Sequence, residues 1–161
     1  MRKYCKTPTI YQMETTECGA ASLAMICAYW EKHVSLEQMR IETGVSRDGC
    51  DAGALIRAAK RLGLEAHGYK MAVKGLADVA LPCILYWNEN HFVVLEGFKG
   101  KHAYLNDPAN GRRRLSLQEL ADGFSHVVLT FRPTVRFEKV KKNAGYSRCL
   151  RNVWQVKSRI C

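Results

Sequence analysis

Gln12-Met-Glu-Thr-Thr-Glu-Cys18-Gly-Ala-Ala-Ser-Leu-Ala-Met-Ile26 is the stretch on which the reading of this chain turns. From Cys18 onward its residues are small or apolar, and the pattern predicts a helix over residues 18–30. A cysteine in the first turn of a helix meets the positive end of the helix dipole, which favours the thiolate, the attacking form of sulfur. Gly19, Ala20 and Ala21 keep bulk away from that sulfur and would let the helix pack closely against a sheet that brings a base. Gln12, six residues upstream, is placed to aim its side-chain amide at the same spot. With the backbone N–H of Cys18 it would form an oxyanion hole. An isolated cysteine is more often a small buried hydrophobe, and that reading is preferred for Cys27, Cys50 and Cys83.

Outward from this stretch the first half of the chain reads as helical. Ser35-Leu-Glu-Gln38 has the form of a capping box, and Gly44 is placed to end the helix it opens. Asp51 is a cap for a third helix with Leu55, Ile56, Ala59 and Leu62 on one face, closed by Gly63. The second half reads as strands. Cys83-Ile-Leu-Tyr-Trp87 and His91-Phe-Val-Val-Leu-Glu96 flank a turn at Asn88-Glu-Asn90, and a second turn region is expected at Gly97-Phe-Lys-Gly100. Ala103-Tyr-Leu105 leads into a strong turn signal, Asn106-Asp-Pro-Ala-Asn-Gly111. Ser116-Leu-Gln-Glu119 is a second capping box opening a short helix, and His126-Val-Val-Leu-Thr-Phe131 is the last strand. Helices followed by sequential strands predict an α+β domain with the N-terminal helices packed on a C-terminal antiparallel sheet.

His91 opens an apolar strand, where it can face a cleft while Phe92 and Val94 face the other side. Asp107 stands at the end of the next strand and can meet the histidine across the pair, fixing its tautomer and stabilising the imidazolium. An Asp before Pro is also a common turn former. The order Gln, Cys-Gly on a helix, His on a strand and Asp at the next strand's end is that of papain-like thiol enzymes, and transglutaminase-like and acyltransferase-like sites share it.

These three motifs together, from Gln12 to Ile26, His91 to Leu95 and Asn106 to Gly111, closely resemble the double-glycine leader peptidases. Those are the cytosolic N-terminal domains of peptidase-containing ABC transporters that export bacteriocins. The resemblance covers residues 7–137. It implies a papain-like fold and cleavage after a Gly-Gly site at the end of a leader peptide. It also implies Cys18 as nucleophile, His91 as base, Asp107 as the orienting residue and Gln12 as the oxyanion donor. Many members have Asp before the cysteine where this chain has Glu17. No metal or cofactor is expected. Met13, Tyr29 and Trp30 are candidates for a leader groove, although such residues more often belong to a core. The alternative within the family is a non-catalytic leader-binding domain that recruits peptides to the transporter; it would need a lost nucleophile or base, and both are present.

The bulk properties fit one domain. The chain has 161 residues, 47% hydrophobic and 25% charged, which suits a globular protein with a single core. No run of about 18 or more apolar residues is present, so no span of a bilayer is expected. The seven cysteines, Cys5, Cys18, Cys27, Cys50, Cys83, Cys149 and Cys161, show no C-x-x-C spacing, which favours free thiols in a reducing compartment. The net charge of +10 is uneven. Residues 1–131 carry 16 Lys and Arg against 14 Asp and Glu, a net of +2, while residues 132–161 carry 9 against Glu138 alone, a net of +8. A nearly neutral body argues against nucleic acid as a partner. The expected organisation is therefore a peptidase domain over residues 1–137. Residues 138–161 would be a basic linker and the start of an interfacial helix, with Tyr146, Cys149, Leu150, Val153 and Trp154 at helical spacing. That helix would lead to transmembrane and ATPase domains outside this chain, which would place the peptidase on the cytoplasmic side of the bacterial cell membrane. A solvated tail, or a C-terminal helix docked on the domain, is the alternative.

Overall fold

A computed structural model describes residues 3–142. Three helices come first: α1 (Cys18–Tyr29), α2 (Leu36–Thr43) and α3 (Ala52–Arg61). Six strands and one more helix follow: β1 (Leu64–Lys70), β2 (Cys83–Trp87), β3 (His91–Lys99), β4 (His102–Asp107), β5 (Gly111–Ser116), α4 (Leu117–Gly123) and β6 (Phe124–Pro133). The strands form one antiparallel sheet in the order β1-β6-β2-β3-β4-β5. Among the described residues no helix is long and apolar enough to cross a membrane. The segment over residues 143–161, where an interfacial helix is expected, lies outside the described residues.

The sheet is covered on both sides, which is why its central strands are apolar at every position rather than at alternate ones. Ile84, Phe92, Val94, Leu129 and Phe131 join one core with α1, α2 and α3. Their neighbours Cys83, Leu85, Val93, Leu95 and Val128 face the opposite core, closed by Leu120 of α4 and Leu76 of a 3-10 turn (Val73–Ala77). Helix α1 is buried from Cys18 through Ala28. It is apolar around its whole circumference, as a helix without a solvent face must be. Ser22 Oγ donates to the Phe92 carbonyl at 3.3 Å, fixing α1 on β3. Gly19 serves a different neighbour from the one expected: a Cβ there would stand 2.5 Å from Cys50 Sγ and 3.2 Å from Leu55 Cδ2, so its bareness lets α3 and its preceding loop approach, not the sheet.

The helix ends follow the sequence signals. Ser35 Oγ accepts the Gln38 N–H, Asp51 Oδ1 accepts the Ala54 N–H, and Gly44 closes α2 with φ of 63°. At Ser116 the capping box is complete. At Ser35 only its first half forms, because the Gln38 amide bonds Glu42 instead.

Two strands were not foreseen, and both are sheet edges. β5 carries Arg112, Arg113 and Arg114, and β1 exposes Glu65 and residues 67–70. Charge on an edge prevents pairing with other chains, and it also removes the apolar alternation by which a strand is read. The turn expected at residues 97–100 is a further correction. β3 runs on to Lys99, and Gly97 (φ 133°) is a bulge within it where the N-terminal chain crosses. A Cβ at Gly97 would lie 2.2 Å from the Lys3 carbonyl oxygen.

Past β6 the chain stays on the body. Thr134 donates its N–H and Oγ1 to the Gly63 carbonyl, Lys32 Nζ lies 5.0 Å from the Phe137 ring centroid, and Val140 bridges Lys32 in parallel.

Because α1 is enclosed on every side, its core leucine has no room to relax. Leu23→Ala, at a fully buried position, is expected to cost about 2–5 kcal/mol. Urea unfolding followed by circular dichroism measures this, and the exposed Ile41→Ala should fall within about 0.5 kcal/mol of the parent.

Candidate active site

The site is assembled where the start of α1 meets the ends of β3 and β4. Cys18 is the first residue of α1, entered through a 3-10 turn (Thr15–Glu17), and is 7% exposed. His91 is the first residue of β3, delivered by a hairpin whose Asn88 and Glu89 both have positive φ. Asp107 is the last residue of β4. The register Val94↔Asn106 sets it diagonal to His91 on the neighbouring strand, within reach of a long side chain.

His91 Nε2 lies 2.8 Å from Asp107 Oδ1, and Cys18 is close enough to act on the charge of the imidazole. Thiol, imidazole and carboxylate are therefore neighbours. Burial alone would depress the His91 pKa, but the hydrogen bond to Asp107 and the nearness of Cys18 raise it to about 9. Burial acts against the Asp107 carboxylate as well. His91, the Ala109 N–H and the Asn110 amide more than offset it and hold its pKa well below the usual carboxylate range. The Ala109 N–H reaches Oδ1 at 2.8 Å, while Asn110 Nδ2 and Arg113 Nη1 reach Oδ2 at 3.1 and 3.4 Å. Asp107 thus forms an Asx turn and lies against the histidine at once. Asn110 and Arg113 were not singled out by sequence. The Asn-Gly pair reads as turn chemistry, and Arg113 sits on the edge strand that carried no apolar signal.

Gln12 reaches the same place through the backbone: its N–H donates to the Pro108 carbonyl at 2.9 Å, beside Asp107. Its side-chain Oε1 is buried and has no hydrogen-bond partner. Burial pushes Cys5 and Cys50 up to about 11 and Cys27 up to about 12, and Cys83 is fully covered and raised further. Cys27 and Cys83 are core residues as expected. Cys50 departs from that reading, being half-buried on a cleft wall.

That cleft, about 770 Å³, opens over Cys18, a size within the usual range of about 300–1,000 Å³ for ligand sites. One wall is the loop from Ser46 to Asp51; the other is formed by Tyr86, Glu89 and Asn90 of the hairpin. Phe92, expected to face away from the site, lines this cleft. Of the residues considered for a groove, Trp30 packs on the helix-side core, Tyr29 stands edge-on to Trp30 with ring centroids 5.0 Å apart, and Met13 is exposed beside Gln12.

Fold and site together define a class, a papain-like cysteine peptidase domain. Residues 6–136 match the Peptidase C39 family, and the chain belongs to it. Over 137 residues it is 36% identical to the probable microcin-H47 secretion/processing ATP-binding protein MchF of Escherichia coli, a match that covers 85% of this chain and 20% of that protein. Over 133 residues it is 35% identical to the colicin V secretion/processing ATP-binding protein CvaB of Escherichia coli, covering 83% and 19%. The chain thus spans about a fifth of the length of these relatives. Among solved structures, a double glycine motif protease from an AMS/PCAT transporter, in complex with the leader peptide, superposes with a TM-score of 0.80 at 51% identity. That match covers 82% of this chain and 95% of that one. The peptidase domain of Streptococcus ComA superposes at 0.73 with 21% identity, covering 78% and 98%, a likeness of fold.

The raised His91 pKa has a definite sign. The imidazolium is the form stabilised by folding, so its contribution is complete below the ordinary histidine value of 6.5 and is lost as pH rises through about 9. NMR titration of the His91 ring should show a midpoint near 9. In Asp107→Asn the midpoint should move down by about one unit or more, because the hydrogen-bonded negative charge is gone.

Proposed function

We propose that this domain is a cysteine endopeptidase that removes the leader from bacteriocin-type precursor peptides by cutting after a Gly-Gly motif. It would act on the cytoplasmic side of the bacterial membrane as part of an ABC exporter. The observation that carries the reading is the His91–Asp107 pair set beside Cys18, which itself lines a cleft. Likeness to a leader-bound double glycine motif protease and to secretion/processing proteins supports the substrate class.

In this reading the leader's C-terminal end lies extended between the loop from Ser46 to Asp51 and the β2–β3 hairpin. A cysteine only 7% exposed is reached by a thin backbone, and glycine at the cut site leaves no side chain to collide with the walls. Cys18 attacks the carbonyl of the last leader residue. The Cys18 N–H and the Gln12 amide hold the developing oxyanion, and the His91 imidazolium gives its proton to the leaving amine. Asp107 keeps the ring oriented, with Nε2 bonded to the carboxylate and the other nitrogen left for the thiol. Water then hydrolyses the thioester with His91 as base, returning the proton to the imidazole.

A synthetic precursor with a Gly-Gly site, read by mass spectrometry, tests this. The wild type should release leader ending in Gly-Gly. Cys18→Ala and His91→Ala should each lose at least about 10³-fold in rate while still binding the leader. Cleavage by Cys18→Ala at the wild-type rate would contradict the proposal, and binding without any cleavage by the wild type would favour the recruiting-domain alternative.

A further inference from the structure

Glu17 precedes the nucleophile and is 1% exposed. A carboxylate so deeply covered is costly unless donors and an opposite charge hold it. Here Oε2 accepts the backbone N–H of Met13 at 2.8 Å and of Glu14 at 3.0 Å. Oε1 stands 2.9 Å from Nε of Arg40 on α2, as an ion pair whose N–H is not aligned on the oxygen. Glu17 is the third residue of the 3-10 turn, and the bond from the Glu14 N–H is the return half of a capping box. Glu17 is the N-cap of α1, and a capping side chain normally takes an N–H of the helix it begins. Glu17 makes no such bond. Its carboxylate turns back onto the segment that follows Gln12.

Two consequences follow from that direction. The loop from Gln12 to Cys18 is tied across by the Glu17 carboxylate, and its far end is pinned by the Gln12 N–H on the Pro108 carbonyl. Glu17 also contributes the carbonyl half of the peptide that carries the Cys18 N–H, so holding Glu17 holds that group. We infer that Glu17, backed by Arg40, is a positioning residue that holds the Gln12 amide and the Cys18 N–H together as a preformed oxyanion site. This rests on the reading of Cys18 and Gln12 given above. Arg40 is an exposed residue of a helix otherwise remote from the chemistry, and the pair would make α2 a support of the site.

The test separates oxyanion stabilisation from integrity of the thiol. Alkylation of Cys18 by iodoacetamide displaces iodide and builds no oxyanion, whereas acyl transfer does. Glu17→Ala should lower kcat for leader cleavage about 10- to 100-fold, approaching the loss of one oxyanion donor. KM and the alkylation rate should stay within about threefold of wild type. Glu17→Gln, which keeps an oxygen for the two N–H groups, should fall between Glu17→Ala and wild type. Arg40→Ala should lower kcat at least about threefold with alkylation unchanged. An unchanged kcat in Glu17→Ala would overturn the inference, as would a parallel fall in cleavage and alkylation. If Glu17→Ala does not fold, a wild-type kcat in Arg40→Ala overturns it. Hydrolysis of glycine p-nitrophenyl ester, which needs the thiol and an oxyanion site but no leader, is measured alongside. If the wild type hydrolyses the ester and not the leader peptide, the substrate reading fails while the ester still reports on Glu17.

Discussion

The complete burial of α1 is the constraint on which the rest of the site depends. A helix without a solvent face has no freedom to roll or slide. Ser22 on the Phe92 carbonyl and Gly19 against α3 fix it on two sides. Its first residue is therefore held at one place relative to β3, and β3 begins at His91. The chemistry needs a thiol and an imidazole side by side, and the core sets Cys18 and His91 as neighbours before any substrate arrives. Fixing the groups in advance is the larger part of what such a site contributes, since no ordering is then left for the reaction step.

The strand pair completes what the helix begins. Asp107 is held by the Asx turn to Ala109, by Asn110 and by Arg113, so the carboxylate that orients His91 is itself oriented. The opposed shifts of the two groups, imidazole up and carboxylate down, express one coupled hydrogen bond. The N-terminal chain is brought in by a second buried set. Glu96 accepts the N–H and Oγ1 of Thr7 at 2.7 and 2.8 Å, and Asn106 Nδ2 donates to Thr7 Oγ1 at 3.0 Å. The segment carrying Gln12 is thus laid over β3 and β4 next to the turn that follows Asp107.

Much of this was legible in the sequence because the relevant signals are local. Cys18 at a helix start, caps at Ser35, Asp51 and Ser116, and the apolar runs of β2, β3 and β6 each leave a mark within a few residues. The edge strands β1 and β5 do not, because solubility demands charge where pairing would otherwise continue. Gly97 read as a turn because a bulge and a turn ask for the same backbone freedom. The supports of the site, Arg40, Asn110 and Arg113, were invisible for a further reason: their partners are fixed by tertiary packing, and nothing in a surface arginine announces which carboxylate it will meet.

In the proposed mechanism Cys18 is acylated by the leader in the course of cleavage. The most direct measurement is the intact mass of the protein quenched in acid during turnover of a Gly-Gly precursor, with peptide mapping of the adduct. A species heavier by the leader alone, attached at Cys18 and released by hydroxylamine as a thioester, is expected. Cleavage that proceeds with no such adduct, and continues after Cys18 has been alkylated, would contradict it.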